Sequence, residues 1–153
     1  MDLSSVRIGE LLPHGLGMTL VDRLESYTPT RSVVGAFVNE RCVFFDRTGV
    51  PAWVGIEYMS QAVAAHAGYE ARLRGKPPAV GFVLGTRAYE SLVDEFPSGS
   101  TLTIGVEPQA LEGGFGAFMC TIEIERVIAR AVINVYRPSV DELARLREAS
   151  AAR

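Results

Sequence analysis

The sequence predicts an α+β domain, a curved antiparallel sheet wrapped around one long central helix. Three observations predict it. One stretch, Ala52 to about Leu73, is apolar on nearly every face, which marks a buried helix. Strand-like segments follow it in succession, at Val80–Tyr89, Thr101–Pro108, Gly116–Glu125 and Arg126–Arg137. Within two of these, Thr101 to Val106 and Thr121 to Glu125, polar and apolar residues alternate. Period two is the pattern of a sheet with one buried and one solvated face.

The elements read in order as follows. Leu11 to Met18 holds Pro13, Gly15 and Gly17 and is an irregular opening segment. Arg31 to Val38 is rich in β-branched and aromatic residues and reads as the first strand. Asp46, Thr48, Gly49 and Pro51 make the next stretch a turn. Pro51 then suits a helix start, where a missing N–H costs little. The helix ends in Glu70, Arg72 and Arg74 before Gly75 and Pro77-Pro78, and cations there complement the helix dipole. Gly113-Gly114-Phe115-Gly116 reads as a hairpin loop, since it precedes a strand. A tight turn is expected near Glu125-Arg126, although neither residue favours positive φ. Ser139-x-x-Glu142 has the spacing of a capping box, so a short polar helix should close the chain. One domain spans 1–153, with its core at about 11–138 and the terminal helix in 139–153.

One buried helix needs a surface that wraps it, and a strongly bent antiparallel sheet does that. This is the hotdog architecture. A single such sheet leaves an open edge, so a dimer with two sheets joined edge to edge is expected.

Composition narrows the function. With 48% apolar residues the chain can bury a core, and its net charge of -3 carries no basic face for nucleic acid. Cys42 and Cys120 have no paired spacing and read as reduced thiols. No signal-peptide pattern and no run of about 18 apolar residues is present. A cytoplasmic location without a membrane span is the expectation. Metal spacing, phosphate loops and Gly-x-Ser-x-Gly are likewise missing from the sequence.

Glu57 is the most informative residue. It sits in the first turns of the helix within Val54-Gly55-Ile56-Glu57-Tyr58-Met59. A carboxylate in such a run is costly unless paired or functional, and burial would raise its pKa toward acid–base use. The alternative is a solvent-facing Glu favoured near the helix start. Gln61, one turn on, is placed to hydrogen-bond it. His14 lies in the Pro/Gly loop, where functional residues concentrate, and histidine suits proton transfer near neutral pH; the alternative is an incidental loop histidine. His66 is about two and a half turns past Glu57, on the opposite helix face, and reads as a packing or surface histidine. Gly49, Ala52 and Trp53 are candidates to supply backbone N–H groups to a thioester carbonyl. Phe82, Leu84 and Gly85 are candidates to line an acyl tunnel, against the plainer reading of an ordinary core strand.

Two motifs carry a resemblance. Leu11-Leu12-Pro13-His14 with Val21-Asp22-Arg23, and Pro51-x5-Glu57-x-Met59-x-Gln61-Ala62, resemble the FabZ-like 3-hydroxyacyl-acyl carrier protein dehydratases. Val50 to Met59, Gly81-Phe82-x-Leu84-Gly85-Thr86-Arg87-x-Tyr89 and Asn134 to Pro138 resemble the ApeP-like branch of aryl polyene clusters. The resemblance implies dehydration of a 3-hydroxyacyl chain on acyl carrier protein to the trans-2-enoyl product. No cofactor is implied beyond the carrier's own phosphopantetheine, and a homodimer or a heterodimer with a related dehydratase is. The usual dehydratase carries its histidine in a His-Phe-Pro-Gly loop before the helix. Here that region reads Cys42-Val43-Phe44-Phe45-Asp46, so the resemblance points to His14 as the base in its place. A hotdog thioesterase using Glu57 to activate water, and a weak or structural subunit of a heteromeric dehydratase, are the rival readings.

Overall fold

The computed structural model describes residues 2–13, 18–79 and 81–153. Its elements run α1 (Ile8–Leu11), β1 (Arg23–Thr28), β2 (Arg31–Phe37), β3 (Gly49–Pro51), a 3₁₀ turn (Ala52–Val54), α2 (Gly55–Leu73), β4 (Phe82–Ser91), β5 (Glu95–Pro97), β6 (Thr101–Glu112), β7 (Phe115–Ile124), β8 (Arg126–Tyr136) and α3 (Val140–Ala151). Six strands form one antiparallel sheet in the order β1-β2-β6-β7-β8-β4, and β3 pairs with β5 in a small second ladder. This is the hotdog fold, with α2 as the helix against the sheet.

The helix is buried as its composition demands. No residue from Gly55 to Ala71 is exposed. Tyr58, Met59, Ala62 and Ala65 pack into a core completed by Val34, Leu102, Ile104, Ile122 and Ile133 from the sheet. Gly68 lets α1 come close, because a Cβ there would stand 2.0 Å from the Leu11 carbonyl oxygen.

Loop chemistry follows the expectations in several places. Gly113 and Gly114 both take positive φ in the two-residue turn joining β6 to β7, the conformation that glycine adopts at no steric cost. Between β7 and β8 the turn is made by Glu125 at φ 63°. Ser139 Oγ accepts from the Glu142 amide at 3.2 Å, and the Glu142 carboxylate accepts from the Ser139 amide at 3.4 Å, which completes the capping box of α3. Three strands beyond those expected appear: β1, β3 and β5. Among the described residues, no helix is long and apolar enough to cross a membrane.

β4 is one edge of the sheet. It carries apolar side chains into solvent, with Phe82 45%, Val83 49% and Leu84 58% exposed.

Candidate functional site

Glu57 is half-buried on the first full turn of α2. Gln61 is fully buried one turn further on, and its amide makes three hydrogen bonds. Its Oε1 accepts from the Leu20 amide at 2.7 Å; its Nε2 donates to the Met18 carbonyl at 2.8 Å and to Glu57 Oε1 at 3.0 Å. The orientation of this amide is dictated by its partners. The Leu20 N–H only donates and the Met18 carbonyl only accepts, so the nitrogen must face Glu57. Gln61 therefore pins the carboxylate to the chain segment that follows residues 14–17.

A cavity of about 110 Å³ opens beside Glu57. Pro13 stands at it, Ser60, Ala64 and Ala67 form the helix side, and Val135 and Phe118 come from the sheet. Ser60 turns its hydroxyl back onto the Ile56 carbonyl at 2.8 Å, which leaves this wall largely apolar. His14 lies outside the described residues. Its chain neighbour Pro13 and the next described residue, Met18, are both at the site of Glu57.

The helix start differs from the expectation for two of the three backbone donors. The Ala52 amide donates to the Asp94 carbonyl at 2.9 Å. The Gly49 amide donates to the Asp46 carbonyl at 3.3 Å. Gly49 belongs to β3, where a Cβ would stand 2.3 Å from the Phe96 carbonyl oxygen. Both amides are thus engaged in holding the β3–β5 ladder and its turn. Trp53 sits at the second position of the 3₁₀ turn, where helical geometry provides no intrahelical acceptor. Its side chain is 64% exposed and meets Phe44 edge-on at 5.6 Å between ring centroids. The Tyr89 hydroxyl donates to the Ala52 carbonyl, over Gly55, where any Cβ would strike the phenol oxygen.

The proposed tunnel strand needs a correction of parity. Val83 pairs with Val135, and both line the Glu57 cavity together with Gly81. Phe82 pairs with Tyr136 and Gly85 with Asn134, the neighbouring positions that point to the other face of the sheet. Leu84 lies on that other face too, beside Ala110, Ala117 and Asn134. A bulge between Val83 and Gly85 sets this register, and a lone sequence gives no sign of it. Sequence reasoning also missed Arg137 and Val135 as lining residues, although the motif Asn134 to Pro138 contained them.

His66 is a packing residue. It is 2% exposed, its Nδ1 lies 2.6 Å from Ser32 Oγ, and its ring meets Tyr27 and Phe118. Burial pushes its pKa down. The Cys42 to Asp46 segment holds no titrating histidine, and the Cys42 thiol contacts the Phe37 carbonyl at 3.6 Å. Cys120 is buried, which pushes its thiol up to about 12. Among the described residues, no group of three His, Cys, Asp or Glu is gathered for a metal ion.

Comparison with known proteins agrees with the fold. A chain of the dehydratase heterocomplex ApeI:P from Xenorhabdus doucetiae is 26% identical, with a TM-score of 0.85 over 92% of this chain and 97% of that one. Zebra fish thioesterase superfamily member 2 is 12% identical, with a TM-score of 0.66 over 90% and 99% of the two chains. A hypothetical thioesterase from Streptococcus pneumoniae, solved with coenzyme A, is also 12% identical, with a TM-score of 0.60 over 76% and 85%. The two thioesterases share the fold alone. No curated protein matches the sequence. The ApeP-like family, described as ApeP dehydratase, matches residues 6–147, and the chain belongs to that family.

Proposed function

We propose that the protein removes water from a 3-hydroxyacyl chain delivered on the phosphopantetheine arm of acyl carrier protein, giving the trans-2-enoyl thioester, as in a fatty-acid-like or aryl polyene pathway. The observation that carries this reading is the Gln61 tie. It ties a half-buried carboxylate, Glu57, to Met18, the first described residue after the segment that holds His14, at the mouth of a cavity that Pro13 also lines. In this mechanism His14 takes the α-proton, and the electrons form the Cα–Cβ double bond as the Cβ–O bond breaks. Glu57 donates its proton to the departing hydroxyl, which leaves as water. The Trp53 amide, the one remaining of the three donors suggested at the helix start, is assigned to the thioester carbonyl.

Pairing with a related dehydratase belongs to the same proposal. The similar Xenorhabdus chain comes from a dehydratase heterocomplex, and the apolar edge strand β4 offers a surface for a second sheet. One observation favours a supporting role for this chain within such a pair. The segment where the usual dehydratase holds its histidine carries none, and Phe44 there packs on Trp53.

The test is a dehydration assay on a 3-hydroxyacyl-carrier protein, followed by mass spectrometry, with His14→Ala and Glu57→Ala beside the wild type. Enoyl product lost in both folded variants supports the His14–Glu57 mechanism. Product that appears only when a sister dehydratase is added, and survives both substitutions, moves the chemistry to the partner. Release of free acid and free thiol would select a thioesterase instead.

A further inference from the structure

A bulge in β4 decides where Tyr89 points. Thr86 pairs with Ile133, a fully buried core residue, so this pair lies on the core face of the sheet. Counting in twos from Thr86 would turn Ala88 inward and Tyr89 outward. The register shifts after Arg87, where the three steps to Glu90 oppose two on β8, from Val132 to Arg130. Ala88 takes φ 51° in this interval, a left-handed conformation that is strained for alanine. The extra residue reverses the parity. Tyr89 turns inward, half-buried against the core. Burial pushes its pKa up, so the phenol keeps its proton at neutral pH.

The Tyr89 hydroxyl ends on the Ala52 carbonyl, which also accepts from the Gly55 amide. Gly55 makes room for the phenol, since a Cβ there would strike its oxygen. On its other side, the Ala52 amide donates to the Asp94 carbonyl at 2.9 Å. Hydrogen bonds therefore hold the chain on both sides of the Ala52 Cα. The Ala52 carbonyl and the Trp53 N–H belong to one planar trans peptide. A hydroxyl that holds the oxygen sets the direction of the N–H on the opposite side of the plane. It also polarises that N–H, because hydrogen bonds in series strengthen one another.

We propose that Tyr89 is a positioning residue for the reaction: its hydroxyl orients and polarises the Ala52–Trp53 peptide, whose N–H holds the thioester carbonyl of the substrate. The proposal rests on the reading above, which assigns that carbonyl to the Trp53 amide, and adds the residue that aims the donor.

Trp53 is the single tryptophan of the chain. Isotopic labelling of tryptophan nitrogen therefore gives one backbone amide signal by NMR, read at the donor itself. The probe is butyryl-carrier protein with an amide in place of the thioester, which neither elimination nor hydrolysis consumes. Turnover is measured on 3-hydroxybutyryl-carrier protein. Both use the full chain, alone and in complex with an unlabelled sister dehydratase. The probe should move the wild-type Trp53 amide proton downfield, and in Tyr89→Phe by roughly half as much or less. Tyr89→Phe should also lower kcat by about tenfold or more while leaving KM unchanged, as loss of a transition-state donor does. Its ring stays in place and the Ala52 oxygen keeps the Gly55 amide, so the fold should hold. Gly55→Ala drives the phenol off the carbonyl with Tyr89 still present and should reproduce both effects. Tyr27→Phe, which removes a phenol oxygen beside His66 and Tyr69, should change neither. A Tyr89→Phe protein with the wild-type amide response or the wild-type kcat would overturn the positioning role. Wild type that turns over with a Trp53 amide indifferent to the probe would overturn it too, and leave the dehydratase reading standing. An amide response that depends on Tyr89, with no enoyl product in either state, would overturn the dehydratase reading and keep the role of Tyr89.

Discussion

Gln61 Nε2 stands 3.0 Å from Glu57 Oε1, and the same amide holds the backbone of Met18 and Leu20. One side chain thus couples the candidate acid to the chain just after residues 14–17, in which the candidate base falls. Gln61→Met keeps volume and removes all three bonds. The buried Leu20 amide then loses its partner, at a cost of about 1–3 kcal/mol. Gln61→Glu keeps an acceptor for Leu20 but turns both donor contacts into oxygen–oxygen repulsions. Its stability should fall less than its turnover, with kcat down by about a hundredfold through misplacement of Glu57. Urea unfolding and the enoyl assay check the two quantities. Full turnover in a folded Gln61→Glu protein would refute the positioning role.

His66 gives a pH prediction with a fixed sign. Burial holds its pKa below the ordinary 6.5, so the unfolded chain takes up the proton more readily. Ser32, Tyr27 and Phe118 face the ring, and Glu70, one turn along α2, offsets part of the shift. The stability carried by neutral His66 is present above 6.5 and is lost as pH falls through the folded-state value. His66→Gln keeps a partner for Ser32 and does not titrate. Melting temperature against pH should fall less steeply below neutrality in that variant than in wild type. Parallel curves would show that other groups govern the acid limb.

Tyr58 is the one buried side chain whose polar atom has no hydrogen-bond partner among the described residues. Burial, and then the Cys42 thiol, push its hydroxyl pKa up. The ring itself packs edge-on against Phe96 at 5.9 Å. Tyr58→Phe retains that packing and removes a buried hydroxyl whose polar neighbour is the Cys42 thiol, a weak hydrogen-bonding group, so stability should rise by about 1 kcal/mol. Chemical unfolding measures it, and a loss of stability would reveal a partner for the hydroxyl.

Much of the fold was legible because it depends on local pattern. α2 announced itself by apolar residues all round, β6 and β7 by alternation, and the β6–β7 turn by Gly113-Gly114. Less legible were elements whose reasons lie elsewhere in the chain. In β1 only Leu24 is buried, so its sequence has no apolar face to read. β3 and β5 are three residues each and exist as a mutual pair, with Val50 and Phe96 opposite one another in the core. The Ala52 amide is taken by Asp94 just before β5, and the Gly49 amide by Asp46 in the turn before β3, which is why the helix start offered fewer donors than its sequence suggested. The Glu57–Gln61 contact was readable because it spans one helical turn. The bonds from Gln61 to Met18 and Leu20 cross more than forty residues, and no local pattern encodes them.

Gly68 provides the last prediction, since it joins packing to the site. α1 ends at Leu11, whose carbonyl oxygen is only 2.0 Å from where a Gly68 Cβ would sit. The obstacle is backbone, so it cannot swing aside as a flexible side chain would. In an open helix Gly→Ala gains up to about 1 kcal/mol of helix propensity. Here α1 must move away from α2, at a cost of about 1–3 kcal/mol, and Gly68→Ala should be destabilising on balance. Leu11 precedes Pro13 by two residues, and Pro13 stands at the Glu57 cavity. Displacing α1 should therefore lower kcat as well as the melting temperature. Gly85→Ala, at a position where a Cβ meets nothing within 4 Å, is the matched comparison and should be close to neutral in melting temperature. Gly68→Ala as stable and as active as wild type would mean that α1 does not hold the entry to the site.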